Sequence, residues 1–185
     1  VVQTLDIHVD TAERLFNSID PAPFRDRDLD PAVISYVVEW AEDQPGEALL
    51  SLCVQLDRAS PANDDAAVIR AGFAENFRQL AASKRRELRR LFRDGRISLL
   101  IGLGFVAIAI FIGESVLQIA GSAGYARIIA DSAVIGAWVA LWHPINIFLF
   151  DWWPIRRRAV LYDRLADANV VVSFGSTASD RGPAG

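Results

Sequence analysis

Leu5, Ile7 and Val9 alternate with Thr4, Asp6 and His8, the two-residue period of a strand buried on one side. Leu50, Leu52, Val54 and Leu56 repeat the pattern against Ser51, Cys53 and Gln55, and predict a second strand. Asn169-Val170-Val171-Val172-Ser173-Phe174 predicts a third, so that the first and last strands of the chain would close one sheet. Between these runs the period lengthens. Asp10-Thr11-Ala12-Glu13 reads as the start of a short helix ending by Asp20-Pro21, with Glu13 placed to reach back to the cap. Asp30-Pro31 pairs a capping aspartate with a proline at the first helical position, and Pro45-Gly46 stops that helix. Its apolar face is Val33, Ile34, Val37, Val38, Trp40 and Ala41. From about Asn63, Ile69, Phe73, Phe77 and Leu80 form the stripe of a long helix, expected to break or bend near Asp94-Gly95. Pro154 to Ala168 predicts one more helix.

Two stretches carry neither alternation nor an amphipathic stripe. Ile97–Ala120 is apolar except for Glu114, and Ile128–Phe150 is apolar except for Asp131, His143 and Asn146. A helix over the first rises about 36 Å, against a hydrocarbon core of about 30 Å. The turn between them, Gly121 to Ala126, is built mostly of small residues. The expected fold is an α+β membrane protein: an antiparallel two-helix transmembrane hairpin inserted in a small cytoplasmic α+β unit of about three strands. Residues 1–96 form the cytoplasmic part with its long basic juxtamembrane helix, and 97–150 the hairpin. Residues 151–175 complete the α+β unit, and 176–185 are a disordered tail.

Charge fixes the orientation. The chain is formally −4, with 19 Lys+Arg against 23 Asp+Glu, but the charges are segregated. Residues 1–70 hold 14 acidic and five basic side chains. Lys84, Arg85, Arg86, Arg89, Arg90, Arg93 and Arg96 precede the first span; Arg156, Arg157 and Arg158 follow the second. The connecting turn offers Arg127 alone. The positive-inside rule then holds both termini in the cytoplasm. Trp152 and Trp153 stand at the inner interface and Tyr125 at the outer one. The arginine run expects anionic headgroups as its counterions, while the acidic residues 1–70 would repel a nucleic acid. The first ten residues lack the basic and apolar regions of a signal peptide. Cys53, the single cysteine, fits a reducing compartment.

Small residues give spans a reason to associate, because lipid is as apolar as leucine. Ser98, Gly102, Ala109 and Gly113 share a face of the first, and Ser132, Gly136 and Ala140 a face of the second. An antiparallel pairing would set Gly113 near Ser132, Ala109 near Gly136 and Gly102 near His143. Glu114, Arg127 and Asp131 fall together near the outer interface, as a self-neutralising cluster or as acids at the mouth of an oligomeric cation pathway. Pro144 removes a backbone donor, predicting a kink and a free Ala140 carbonyl for His143, Asn146 or water to satisfy. His143 has a second reading, as axial ligand to a haem or chlorophyll-type macrocycle opposite glycine. No other cofactor or metal is expected. Asp26, Asp28 and Asp30 alternate like a calcium loop but lack its glycine, and Val37 stands at its twelfth position. Gly102-Leu103-Gly104 lies inside a span and lacks the Lys-Ser/Thr of a phosphate loop. His8 and Cys53 share the polar face of the sheet without a third group to orient them.

Leu15 to Asp30, LFNSIDPAPFRDRDLD, resembles a segment of uncharacterised bacterial two-span inner-membrane proteins. Asp151-Trp152-Trp153-Pro154-Ile155-Arg156-Arg157-Arg158, followed by Leu161-Tyr162, is similar to their ending. The likeness runs from about residue 5 to residue 174. It implies a bacterial inner-membrane protein with the same two spans, in keeping with both termini cytoplasmic, and brings no functional residue with it. The function expected from the residues themselves is a non-enzymatic anchoring and interaction subunit of a larger or homo-oligomeric membrane assembly. Its partners would be the bilayer and other membrane subunits or copies of itself. The alternatives are a homo-oligomeric ion pore or carrier with Glu114 and Asp131 at its outer mouth, and an electron-transfer subunit using His143.

Overall fold

The computed structural model describes residues 2–21, 27–57, 65–120 and 124–174, excepting the side chains of residues 65, 117, 120, 124–126, 129 and 130. Three alternating segments become strands β1 (Val2–Val9), β2 (Leu49–Leu56) and β3 (Asn169–Phe174). They form one sheet in the order β1-β2-β3, parallel throughout, with Leu5 beside Leu52 and Leu52 beside Val170. The two terminal strands are therefore the two edges, and β2 lies between them. Parallel neighbours need crossovers, and helices supply them: α1 (Pro31–Glu42) between β1 and β2, and the helices within residues 65–166 between β2 and β3. The fold is thus of the mixed α/β, crossover-connected kind rather than a segregated α+β one.

By its contacts the chain divides into two units, residues 1–83 with 158–185, and residues 84–157. In the first, alternation does what the sequence promises. Leu5, Ile7, Leu50, Leu52, Val54, Leu56 and Val170 point into a core closed by Val37 and Ala41 of α1. Ile69, Phe73 and Phe77 at the start of α2 (Asp65–Ala120), and Leu161 and Leu165 of α4 (Trp152–Ala166), complete it. Burying a side chain of this size stabilises by about 1.5–3 kcal/mol. The opposite sheet face keeps Thr4, Asp6, His8 and Val171 exposed, with Ser51, Cys53 and Gln55 half-buried beside them. Asp30 caps α1 as expected, accepting a 2.8 Å bond from the Ala32 N–H. Arg164 fastens the loop between α1 and β2, donating to the carbonyls of Pro45 (3.0 Å) and Ala48 (2.7 Å).

The helix expected after Asp10 is only a 3₁₀ turn, Ala12–Leu15, and Thr11 makes no side-chain cap. Buried Leu15 and Phe16 draw the chain inward, and Phe16 then bridges Leu29 in extended form, which leaves no room for a second turn. Asp10 pairs with Arg14 at 3.3 Å. Of the aspartates considered for a calcium loop, Asp26 lies outside the described residues. The Asp28 N–H donates to the Asp20 carboxylate at 3.1 Å. Asn63, residues 121–123, the Tyr125 side chain and the tail from residue 175 also lie outside them.

The second unit holds two helices long and apolar enough to cross a membrane. α2 is assigned as one helix of 56 residues and does not break at Asp94-Gly95. Gly95 sits inside it as a contact point instead: a Cβ there would stand 2.9 Å from the Ile147 side chain. α3 (Gly124–Asn146) passes through Pro144 and gives way to a π-helical segment, Ile147–Asp151, before α4 begins. The departure from α geometry thus comes after the proline, not at it. Only 11% and 17% of the most apolar stretches of these helices are buried. Leu100, Ile101, Phe111, Trp138 and Val139 are each 67–71% exposed, so the large apolar side chains of these helices face outward rather than into a core.

Candidate functional site, a basic groove with an aromatic wall

Within α2, Arg86, Arg89, Arg90, Arg93 and Arg96 recur at three, four, seven and ten residues from the first, which gathers them on one side of the helix. They line an open groove of about 660 Å³ together with Phe92 and with Phe148 of the π-helical segment. The wall continues as an aromatic series. Phe92 lies 6.1 Å from Phe148 and 6.5 Å from Trp152, centroid to centroid, and Trp152 lies 6.5 Å from Trp153. The Arg156 guanidinium stands over the Trp152 ring at 5.8 Å, within cation–π range.

The charges in this groove are poorly neutralised by the protein itself. Arg93 meets Asp94 at 3.5 Å with both side chains well exposed, and Arg96 donates to the Phe92 carbonyl at 3.2 Å. Among the described residues no carboxylate lies within 4.0 Å of Arg86, Arg89 or Arg90. Lys84, by contrast, is held by Glu87 at 2.7 Å, and Arg158 reaches Glu42 at 3.9 Å. Arg85 and Arg157 are exposed and do not line the groove. Planar guanidinium forks at this density, beside an apolar wall, suit an anion that carries oxygens on one side and hydrocarbon on the other.

The small residues meet one another in a different register from the one expected. A Cβ on Gly102 would stand 3.2 Å from the Leu141 side chain and 3.3 Å from the Ala140 carbonyl oxygen, and Gly136 faces Phe105 at 3.7 Å. Gly102 therefore sits against Ala140 and Leu141, not His143, and Gly136 against Phe105, not Ala109. The offset is about one turn. Gly102, Ala109 and Gly113 are buried, Ser98, Gly136 and Ala140 half-buried, and Ser132 exposed. Gly95, Ala137, Pro144 and Ile147 belong to the buried stripe and were not anticipated. Their seven-residue spacing, Gly95-Gly102-Ala109 and Ala137-Pro144, was the available signal.

Pro144 leaves the Ala140 carbonyl without its helical donor, and among the described residues neither His143 nor Asn146 bonds to it. That oxygen lies 3.3 Å from where a Cβ on Gly102 would stand. His143 is exposed, and the glycine expected to make room for a macrocycle beside it lies elsewhere. Glu114, Arg127 and Asp131 are all exposed, and among the described residues no ion pair joins them. The self-neutralising cluster is not formed. No known family model, curated protein or solved structure matches the chain.

Proposed function

We propose that this protein is an inner-membrane anchoring and interaction subunit: an antiparallel transmembrane hairpin carrying a cytoplasmic α/β headpiece. The observation that carries the reading is the inverted surface of the second unit. Glycine, alanine and proline lie between the helices, and large apolar side chains such as Leu100, Phe111 and Trp138 face outward. Lipid accepts that surface and water does not. The order of contacts supports the antiparallel hairpin, because Gly95, Gly102 and Phe105 meet Ile147, Ala140 and Gly136 as one number rises and the other falls. Arginines at both feet of the hairpin support a cytoplasmic headpiece.

The interaction role is supported by the headpiece sheet. Parallel sheets are ordinarily covered on both faces, whereas this one presents a bare polar face and carries β1 and β3 as its edges. Carbonate extraction of membranes tests the anchor, and the protein is expected in the pellet. Recovery in the aqueous fraction without detergent removes the reading. Purification in mild detergent tests the subunit role: co-migration with another membrane protein or with further copies of itself is expected, and a strictly solitary monomer overturns it.

A further inference from the structure

Resting on that membrane reading, we infer that the arginine groove is a binding site for a two-phosphate anionic phospholipid. Three features of the groove converge on this chemistry. Its cationic side gathers five guanidiniums, Arg86, Arg89, Arg90, Arg93 and Arg96, more than one phosphate can engage and enough for two. Its guanidiniums are forks matched to phosphate oxygens, and Arg86, Arg89 and Arg90 meet no carboxylate within 4.0 Å among the described residues. Its remaining wall, Phe92 and Phe148, is apolar and follows directly on the lipid-facing helices. A soluble anion has no use for that wall, and acyl chains do.

The site differs from a diffuse basic belt. A belt attracts any anionic surface in proportion to charge, whereas a groove that engages two phosphates at once favours two linked phosphates over two separate ones. The polar side is contributed by one continuous helix, so its spacing is set by backbone geometry rather than by mobile loops.

Native mass spectrometry of the full chain in detergent, titrated with cardiolipin or with twice the molar amount of phosphatidylglycerol, reads the preference at matched charge. Cardiolipin adducts are expected at about tenfold lower lipid concentration. Arg89→Gln with Arg93→Gln is expected to abolish the difference, while Lys84→Gln with Arg85→Gln, which removes equal charge outside the groove, keeps it. Equal uptake of the two lipids, or equal effects of the two double variants, overturns the proposal. So does displacement of cardiolipin by millimolar inorganic phosphate or by a short single-stranded oligonucleotide, either of which would make the ligand a soluble one. Each variant is also carried through carbonate extraction. A protein that remains in the membrane pellet yet shows no lipid preference refutes the site alone, and one that leaves the pellet refutes the anchor.

Discussion

Gly102 and Gly104 stand two positions apart in α2 and live in opposite surroundings. A Cβ on Gly102 would press on the Ala140 carbonyl at 3.3 Å, whereas one on Gly104 would meet nothing within 4 Å. Backbone cannot swing aside as a side-chain tip can. Gly102→Ala is therefore expected to weaken the helix pair by about 1–3 kcal/mol, while Gly104→Ala stays within about 1 kcal/mol of the parent, as unfolding in mixed micelles would measure. Gly72 poses a similar question in the first unit, where a Cβ would come within 2.8 Å of the buried Phe16 ring. Alanine's helix propensity offers about 1 kcal/mol there and overpacking costs about 1–3 kcal/mol, so a net loss is expected in a thermal melt. At Arg164, replacement by alanine strips two charge-assisted bonds from the Pro45 and Ala48 carbonyls. A loss of about 1–2 kcal/mol is expected, with faster proteolysis in the 43–48 loop as its local signature.

Elements differ in how openly the chain announces them. The strands were legible because a period of two is unambiguous when one face is buried, and β3 matches its sequence reading residue for residue. The cap of α1 was legible because Asp-Pro leaves few other uses for an aspartate. Asp30→Ala is expected to cost about 1 kcal/mol and to lower helicity at the start of α1, measurable by hydrogen exchange. The helix after Asp10 misled because its local signals are overridden by the burial of Leu15 and Phe16. Hairpin register was misread for another physical reason. Small residues spaced by four give several axial offsets of nearly equal merit, and bulky neighbours such as Phe105 and Leu141 decide among them. The arginine side of the groove could be read from spacing, but its far wall could not. Phe148 sits in a π-helical segment that no periodicity foretells.

At the scale of the whole molecule, the sheet brings together residues that are close in space and remote along the chain. β1 and β2 are separated by one short helix, but β2 and β3 by everything from α2 to α4. Removing residues 169–185 takes away Val170 and an entire neighbour of the central strand. Such a chain is expected to keep its membrane pellet on carbonate extraction and to lose protease resistance in residues 1–83, since the two units have separate contacts.

The insertion of both long helices between the middle and last strands also dictates an order of manufacture. As the polypeptide leaves the ribosome, two strands and most of the core exist before the greasy segments, yet their third companion arrives only after those segments have been synthesised. Finishing the sheet thus reports that the whole excursion has been made, and a copy stalled midway leaves one edge of β2 without its neighbour.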